Sequence, residues 1–192
     1  MADQLSFSPD MALVVVDVQH DFAHPEGSLF VTGAPAAIPH IVGLVTAAQA
    51  AGAPVIYTAD WHPEDTAHFN QWPVHCVGGT PGADLMPELP PTTYPIIKKG
   101  IHGEDAYSGF TMSDPVTGKR SSTDLEAVLA TTGVQELVIV GIATDVCVRA
   151  TVQDAIAKGW PVTVVQDACA GVDEVNSRAA LAEFASLGAR VL

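Results

Sequence analysis

The chain has 192 residues, enough for one domain with a sizeable apolar core, and 48% of them are hydrophobic. Its mean hydropathy of +0.27 excludes a disordered chain. Lys and Arg number 8 against 22 Asp and Glu, a formal net charge of −14. That balance argues against nucleic acid or an anionic membrane as partner and leaves a small neutral or cationic ligand.

The N-terminus, Met-Ala-Asp-Gln-Leu-Ser-Phe, has no basic flank and no signal-peptide core, and no apolar run approaches the roughly 20 residues of a membrane span. A cytoplasmic protein is expected. The odd set Cys76, Cys147 and Cys169 argues against a disulfide framework, and it lacks the CxxC pairs of a Cys-only zinc site. Residues 12–16 are an apolar run ending at Asp17, a buried first strand. Residues 34–51 are Ala-rich with apolar residues at helical spacing, and Gly52 suits the position after a helix. Residues 54–58 read as a second strand that ends at Asp60. From 60 to 89 the chain is rich in Pro, Gly, His and Trp without a period, and so long an irregular stretch is usually functional.

A short third strand over 94–97 precedes Lys98, Lys99 and Gly100. A helix begins over 124–130 with Ser122 or Thr123 as cap. The fourth strand is 135–141, the next helix 147–158, stopped at Gly159, and the fifth strand 161–165. A helix over 177–187 and a terminal strand over 188–192 complete the pattern. Strands alternating with helices predict an α/β fold, three layers α/β/α, with a mostly parallel, Rossmann-like six-stranded sheet in one domain spanning 1–192. Ligands of such sheets sit beyond the carboxyl ends of the strands. Asp17, Asp60, Lys99 and the turn from Gly141 to Cys147 therefore converge on one edge.

Val138-Ile-Val-Gly-Ile-Ala-Thr-Asp-Val-Cys-Val148 delivers Cys147 from a strand into the first turn of a helix. Taken alone, such a cysteine also suits a small buried apolar position. The helix start offers partial positive charge and unpaired N–H groups, which predict a depressed thiol pKa and a place for an oxyanion. Asp17 can take the thiol proton, and a charged lysine can stabilise both anions. Lys98 and Lys99 compete for that role because strand alternation sends only one inward; Lys99 is preferred because Gly100 follows it.

Asp60 and His62, two apart, present an oxygen and a nitrogen in one direction. His75 can close a facial ligand set with open positions, and His68 is a fourth candidate. Solvated loop histidines are the competing reading. Phe22, Trp61, Trp72 and Tyr107 lie near these groups, and a flat ring could stack between Phe22 and Trp72. Cys76 and Cys169 read as structural. His20, His24, His40 and His102 have no assigned role, and His102 could at most line the mouth of the site.

Six segments resemble the nicotinamidases, or pyrazinamidases, among the isochorismatase-like cysteine hydrolases. They are Val16-Asp-Val-Gln-His-Asp-Phe22, Asp60-Trp-His62, Trp72-Pro-Val-His-Cys76 with Gly79-Thr-Pro-Gly-Ala83, Lys99-Gly100, Ala106-Tyr-Ser-Gly-Phe110 and Gly141-Ile-Ala-Thr-Asp-Val-Cys-Val148. The resemblance implies hydrolysis of nicotinamide to nicotinate and ammonia in NAD salvage, and of pyrazinamide to pyrazinoate. It implies Cys147 as nucleophile, Asp17 as base and Lys99 as electrostatic partner. The amides of Ala143 and Cys147 would form the oxyanion hole, with a cis peptide at Ile142–Ala143 aiming the former. Phe22, Trp72, Tyr107 and Ala143 would bind substrate. Asp60, His62, His68 and His75 would hold one divalent metal ion, zinc first, with iron or manganese as alternatives. The expected partner is a small carboxamide, on a monomer or homo-oligomer. Val146 departs from the family, where His or Tyr often precedes the nucleophile; the change bears on the pocket wall.

Overall fold

The computed structural model describes residues 5–192. Eight strands form, β1 (Met11–Val16), β2 (Val55–Asp60), β3 (Ile97–Lys99), β4 (Thr111–Ser113), β5 (Arg120–Ser122), β6 (Glu136–Ile142), β7 (Val162–Ala170) and β8 (Arg190–Val191). The helices are α1 (His20–Ala23), α2 (Ala34–Ala50), α3 (Leu125–Thr132), α4 (Cys147–Ala157) and α5 (Glu174–Ser186). The central sheet runs β3-β2-β1-β6-β7-β8 with every neighbouring pair parallel. Every residue of β1 and β2 is buried, as a parallel sheet covered on both faces requires.

Alternation along β1 divides the core in two. Leu13 and Val15 pack with α1 and α2, whereas Ala12, Val14 and Val16 pack with α3, α4 and α5. The strand order reverses at β1, whose neighbours β2 and β6 diverge to opposite sides. This switch point opens a crevice at the carboxyl edge. Gly52, just past α2, has φ +74°, the left-handed conformation its expected position demands.

Four expectations need correction. The third strand is Ile97–Lys99 rather than 94–97, because the β2 register pairs Thr58 with Ile97 and Asp60 with Lys99. Lys99 thus ends the strand instead of following it. The fifth strand runs on through Cys169, which pairs with Gly141 after a register shift. The last helix starts at Glu174, not 177, because the Asp173 side chain caps it by accepting from the Asn176 amide at 2.8 Å. A β4–β5 hairpin occupies a stretch to which the sequence assigned no strand; Asp114 nucleates its turn by accepting the Val116 and Thr117 amides at 2.9 and 2.7 Å.

Candidate active site and metal centre

β1 ends in a sharp departure: Asp17 has φ +51°, a left-handed conformation uncommon outside glycine. Its Oδ1 accepts from Thr58 Oγ1 at 2.6 Å, and its Oδ2 lies 2.7 Å from Lys99 Nζ. Lys99 is 0% exposed. Its ammonium also pairs with Asp60 Oδ1 and donates to the Ala106 carbonyl at 2.5 Å. Lys98, one residue earlier, points outward and lays its ammonium 3.3 Å from the centre of the Trp61 ring. Trp61 is not among the residues lining the pocket that Phe22, Trp72 and Tyr107 line.

Burial raises the Asp17 carboxyl, only partly opposed by Lys99, to a pKa of about 6. Burial also works against Asp60, but there Lys99, then His62 and His75, hold the carboxyl well below the ordinary range. The two carboxylates so diverge: Asp60 is a fixed anion, and Asp17 can exchange a proton near neutrality. For Lys99, burial favours the neutral amine, yet the two carboxylates win and hold the group well above the usual lysine value.

Cys147 is the first residue of α4 and is 7% exposed. One ligand-type atom each of Cys147, Asp17 and Asp60 lies within 4.8 Å of the others. Burial pushes the thiol pKa well above its ordinary value; Lys99 opposes this, and Asp17 and Asp60 reinforce it. The expected depressed pKa is therefore overturned. The partial charge of a helix start is outweighed by desolvation and two nearby carboxylates. The resting group is a buried thiol beside a carboxylate.

The Ile142–Ala143 peptide is cis. Among the described residues, neither the Ala143 nor the Cys147 backbone N–H has a backbone acceptor, although the Ala143 carbonyl accepts from the Val146 and Val148 amides, both at 3.0 Å. Both residues line one pocket. Phe22, Trp72 and Tyr107 line it too, and Trp72 Nε1 donates to Tyr107 Oη at 3.0 Å. Asp60, His68 and His75 form one flank; Leu29, Val31, Val146 and Val172 supply apolar wall.

His62, His68 and His75 each offer a ring nitrogen within 4.8 Å of the other two, and all three are buried. The Asp60 Oδ2 lies 3.8 Å from His62 Nε2 and 3.9 Å from His75 Nε2. Both nitrogens of the buried His62 lack a hydrogen-bond partner. Orphaned imidazole nitrogens in a dry site are costly unless a cation uses them. Burial, ahead of any neighbour, lowers the pKa of His68 and of His75, favouring the neutral imidazoles that ligate metals. One carboxylate and three imidazoles match a divalent transition ion.

Several residues that build the site went unassigned in the sequence. The Gln19 side chain donates to the carbonyls of Asp60 and Ala83 and accepts the Asp60 amide, each at 2.8 Å. Asp21 Oδ2 accepts the Cys76 amide at 2.7 Å and Oδ1 the Ser28 amide at 3.2 Å, tying the His75 loop to the pocket wall. Both residues fall inside Val16–Phe22, two and four positions after Asp17, so their place beside the strand end was the available signal. Among the apolar wall residues Val146 is marked in the sequence as the residue before Cys147; Leu29, Val31 and Val172 carried no signal.

A parallel α/β sheet with its polar site at the switch point defines the class. The chain matches the isochorismatase domain over residues 11–192 and belongs to that family. The nicotinamidase/pyrazinamidase of Mycobacterium tuberculosis is 40% identical over 181 residues, covering 90% of this chain and 93% of that protein. A crystal structure of the pyrazinamidase of Pyrococcus horikoshii in complex with zinc superposes with a TM-score of 0.85 at 38% identity, covering 96% of this chain and 99% of that one. The PnC1 protein of L. infantum in complex with nicotinate gives a TM-score of 0.86 at 32% identity, with 98% and 95% covered. Among the described residues, no helix is long and apolar enough to cross a membrane.

Proposed function

We propose that this chain is an amide hydrolase converting nicotinamide to nicotinate and ammonia in NAD salvage, and pyrazinamide to pyrazinoate, through a thioester on Cys147. The observation that carries the reading is the Cys147 thiol against Asp17, on a pocket whose other flank is the Asp60 and histidine cluster. The relatives named nicotinamidase or pyrazinamidase support the substrate class. Asp60, His62, His68 and His75 would hold one divalent ion, with zinc the first expectation. When bound, the ion would supply Lewis-acid polarisation to the substrate ring.

The chemistry of the chain's own groups follows from their protonation states. Asp17 accepts the thiol proton as Cys147 Sγ attacks the amide carbon. The charge formed on oxygen is met by the Ala143 and Cys147 amides. The carbon–nitrogen bond breaks as Asp17 returns its proton to the leaving nitrogen, releasing ammonia. Water then attacks the thioester while Asp17 takes its proton. The carbon–sulfur bond breaks, Cys147 is reprotonated, and nicotinate leaves. Lys99 holds its charge beside Asp17 and Asp60 throughout. Phe22, Trp72 and Tyr107 hold the ring.

Ammonia release from nicotinamide by purified protein, beside a chelator-treated and zinc-restored sample, tests the reading. The expected result is release that Cys147→Ala abolishes and that chelation suppresses reversibly. Zinc-loaded protein that releases no ammonia from nicotinamide or pyrazinamide would overturn the substrate assignment.

A further inference from the structure

The three clustered histidines are held differently. His75 Nδ1 faces the Pro73 carbonyl at 2.7 Å, and His62 has no partner at either nitrogen. His68 has a carboxylate of its own at hydrogen-bonding distance: its Nδ1 lies 2.6 Å from Asp105 Oδ1, whereas Asp60 lies 3.8 and 3.9 Å from His62 and His75, and the His68 ring stacks on His62 at 4.5 Å between centroids. Asp105 is itself fixed. Its amide donates to the Ser113 carbonyl and its carbonyl accepts the Ser113 amide, both at 2.8 Å, which anchors it to β4. The backbone of His68 is tied to the same loop by a separate route. Thr66 Oγ1 accepts the His68 amide at 3.2 Å and donates to the Gly103 carbonyl at 2.8 Å.

We propose that Asp105 is a positioning residue of the metal centre, acting through His68. It accepts the Nδ1 proton, which fixes the tautomer and leaves the Nε2 lone pair as the ligand toward His62 and His75. A carboxylate on the far nitrogen also makes an imidazole a better donor. The carboxylate stays attached to the hairpin rather than to the metal, so the β4 anchor sets the direction of the His68 ring. This rests on the metal reading above but not on the identity of the amide substrate.

The test is zinc affinity of the chelator-stripped full chain, titrated against a competing chelator. Asp105→Ala is expected to weaken zinc about 10–100-fold. Asp105→Asn, which keeps an acceptor at the same reach without the charge, should weaken it less. Thr66→Ala removes the neighbouring loop tie without touching the ring, and should leave the affinity near that of the parent. In zinc-loaded protein, nitrogen-15 NMR should show His68 protonated at Nδ1 and metal-bound at Nε2. Parent-like affinity in Asp105→Ala, equal losses in Asp105→Ala and Thr66→Ala, or zinc on Nδ1 would each overturn the proposal. None of these readouts uses ammonia release, so failure on nicotinamide and failure of Asp105 are separable.

Discussion

Cys147 and Asp17 divide one proton between them, and the division sets the pH at which the site can work. The thiol is held up by burial and the carboxyl sits at about 6, so above that value the pair is thiol plus carboxylate. Below it the carboxylate is protonated and nothing receives the thiol proton. The sign is therefore fixed: kcat/KM should rise with pH through about 6 and level off above it, because roughly nine-tenths of Asp17 is ionised at pH 7. Asp17→Asn should cost about 10²–10⁴-fold in turnover. Steady-state rates across this range check it, and a parent profile flat through pH 6 would remove Asp17 as the base. A helix start alone suggested a ready thiolate. The structure replaces that picture with a buried thiol beside a carboxylate, which is what the proposed base-assisted attack requires.

At the scale of elements, the site depends on how closely β1 and β6 approach. Gly141 has φ +125°, and a Cβ built there would lie 2.2 Å from the Val16 carbonyl oxygen. Both neighbours lead into the chemistry: Asp17 follows Val16, and Ala143 and Cys147 follow Gly141. Gly141→Ala should cost about 2–4 kcal/mol of stability from overpacking and a strained φ together, and should lower turnover as the two strand ends part. Urea unfolding and kcat measured on the same samples check it; unchanged stability would mean the strands can separate freely. Much of this architecture was legible in sequence. The six strands of the sheet, their alternation with helices and the convergence of Asp17, Asp60, Lys99 and Cys147 followed from apolar runs and the strand-end rule. What hid was polar and local. The β4–β5 hairpin carries no alternating apolar pattern, since all of β5 is exposed. Gln19, Asp21 and Asp105 act by bonding to backbone or to another side chain, a role that residue type alone does not announce. Leu29, Val31 and Val172 come together only through tertiary folding.

Across the whole molecule, the histidine cluster joins segments that the sheet does not. His62 follows β2, His68 sits in a single helical turn capped by Thr66, and His75 lies in a loop that Asp21 secures. Between β2 and β3 the described residues form no strand, and isolated bridges tie His62 to Val77 and Leu85 to Gln19. A cation held by Asp60 and the three imidazoles, as proposed, would add one more crosslink between this stretch and the carboxyl edge of the sheet. An ion that binds the folded chain and not the unfolded one stabilises by mass action, about 2.7 kcal/mol at a free concentration 100 times its Kd. Thermal or urea unfolding should accordingly shift upward with added zinc and downward with chelator, whereas magnesium, which prefers oxygen ligands, should do little. His62→Ala removes a proposed ligand, so its unfolding should lose most of the response to zinc and to chelator. Equal zinc responses in parent and His62→Ala would detach the stabilisation from this cluster.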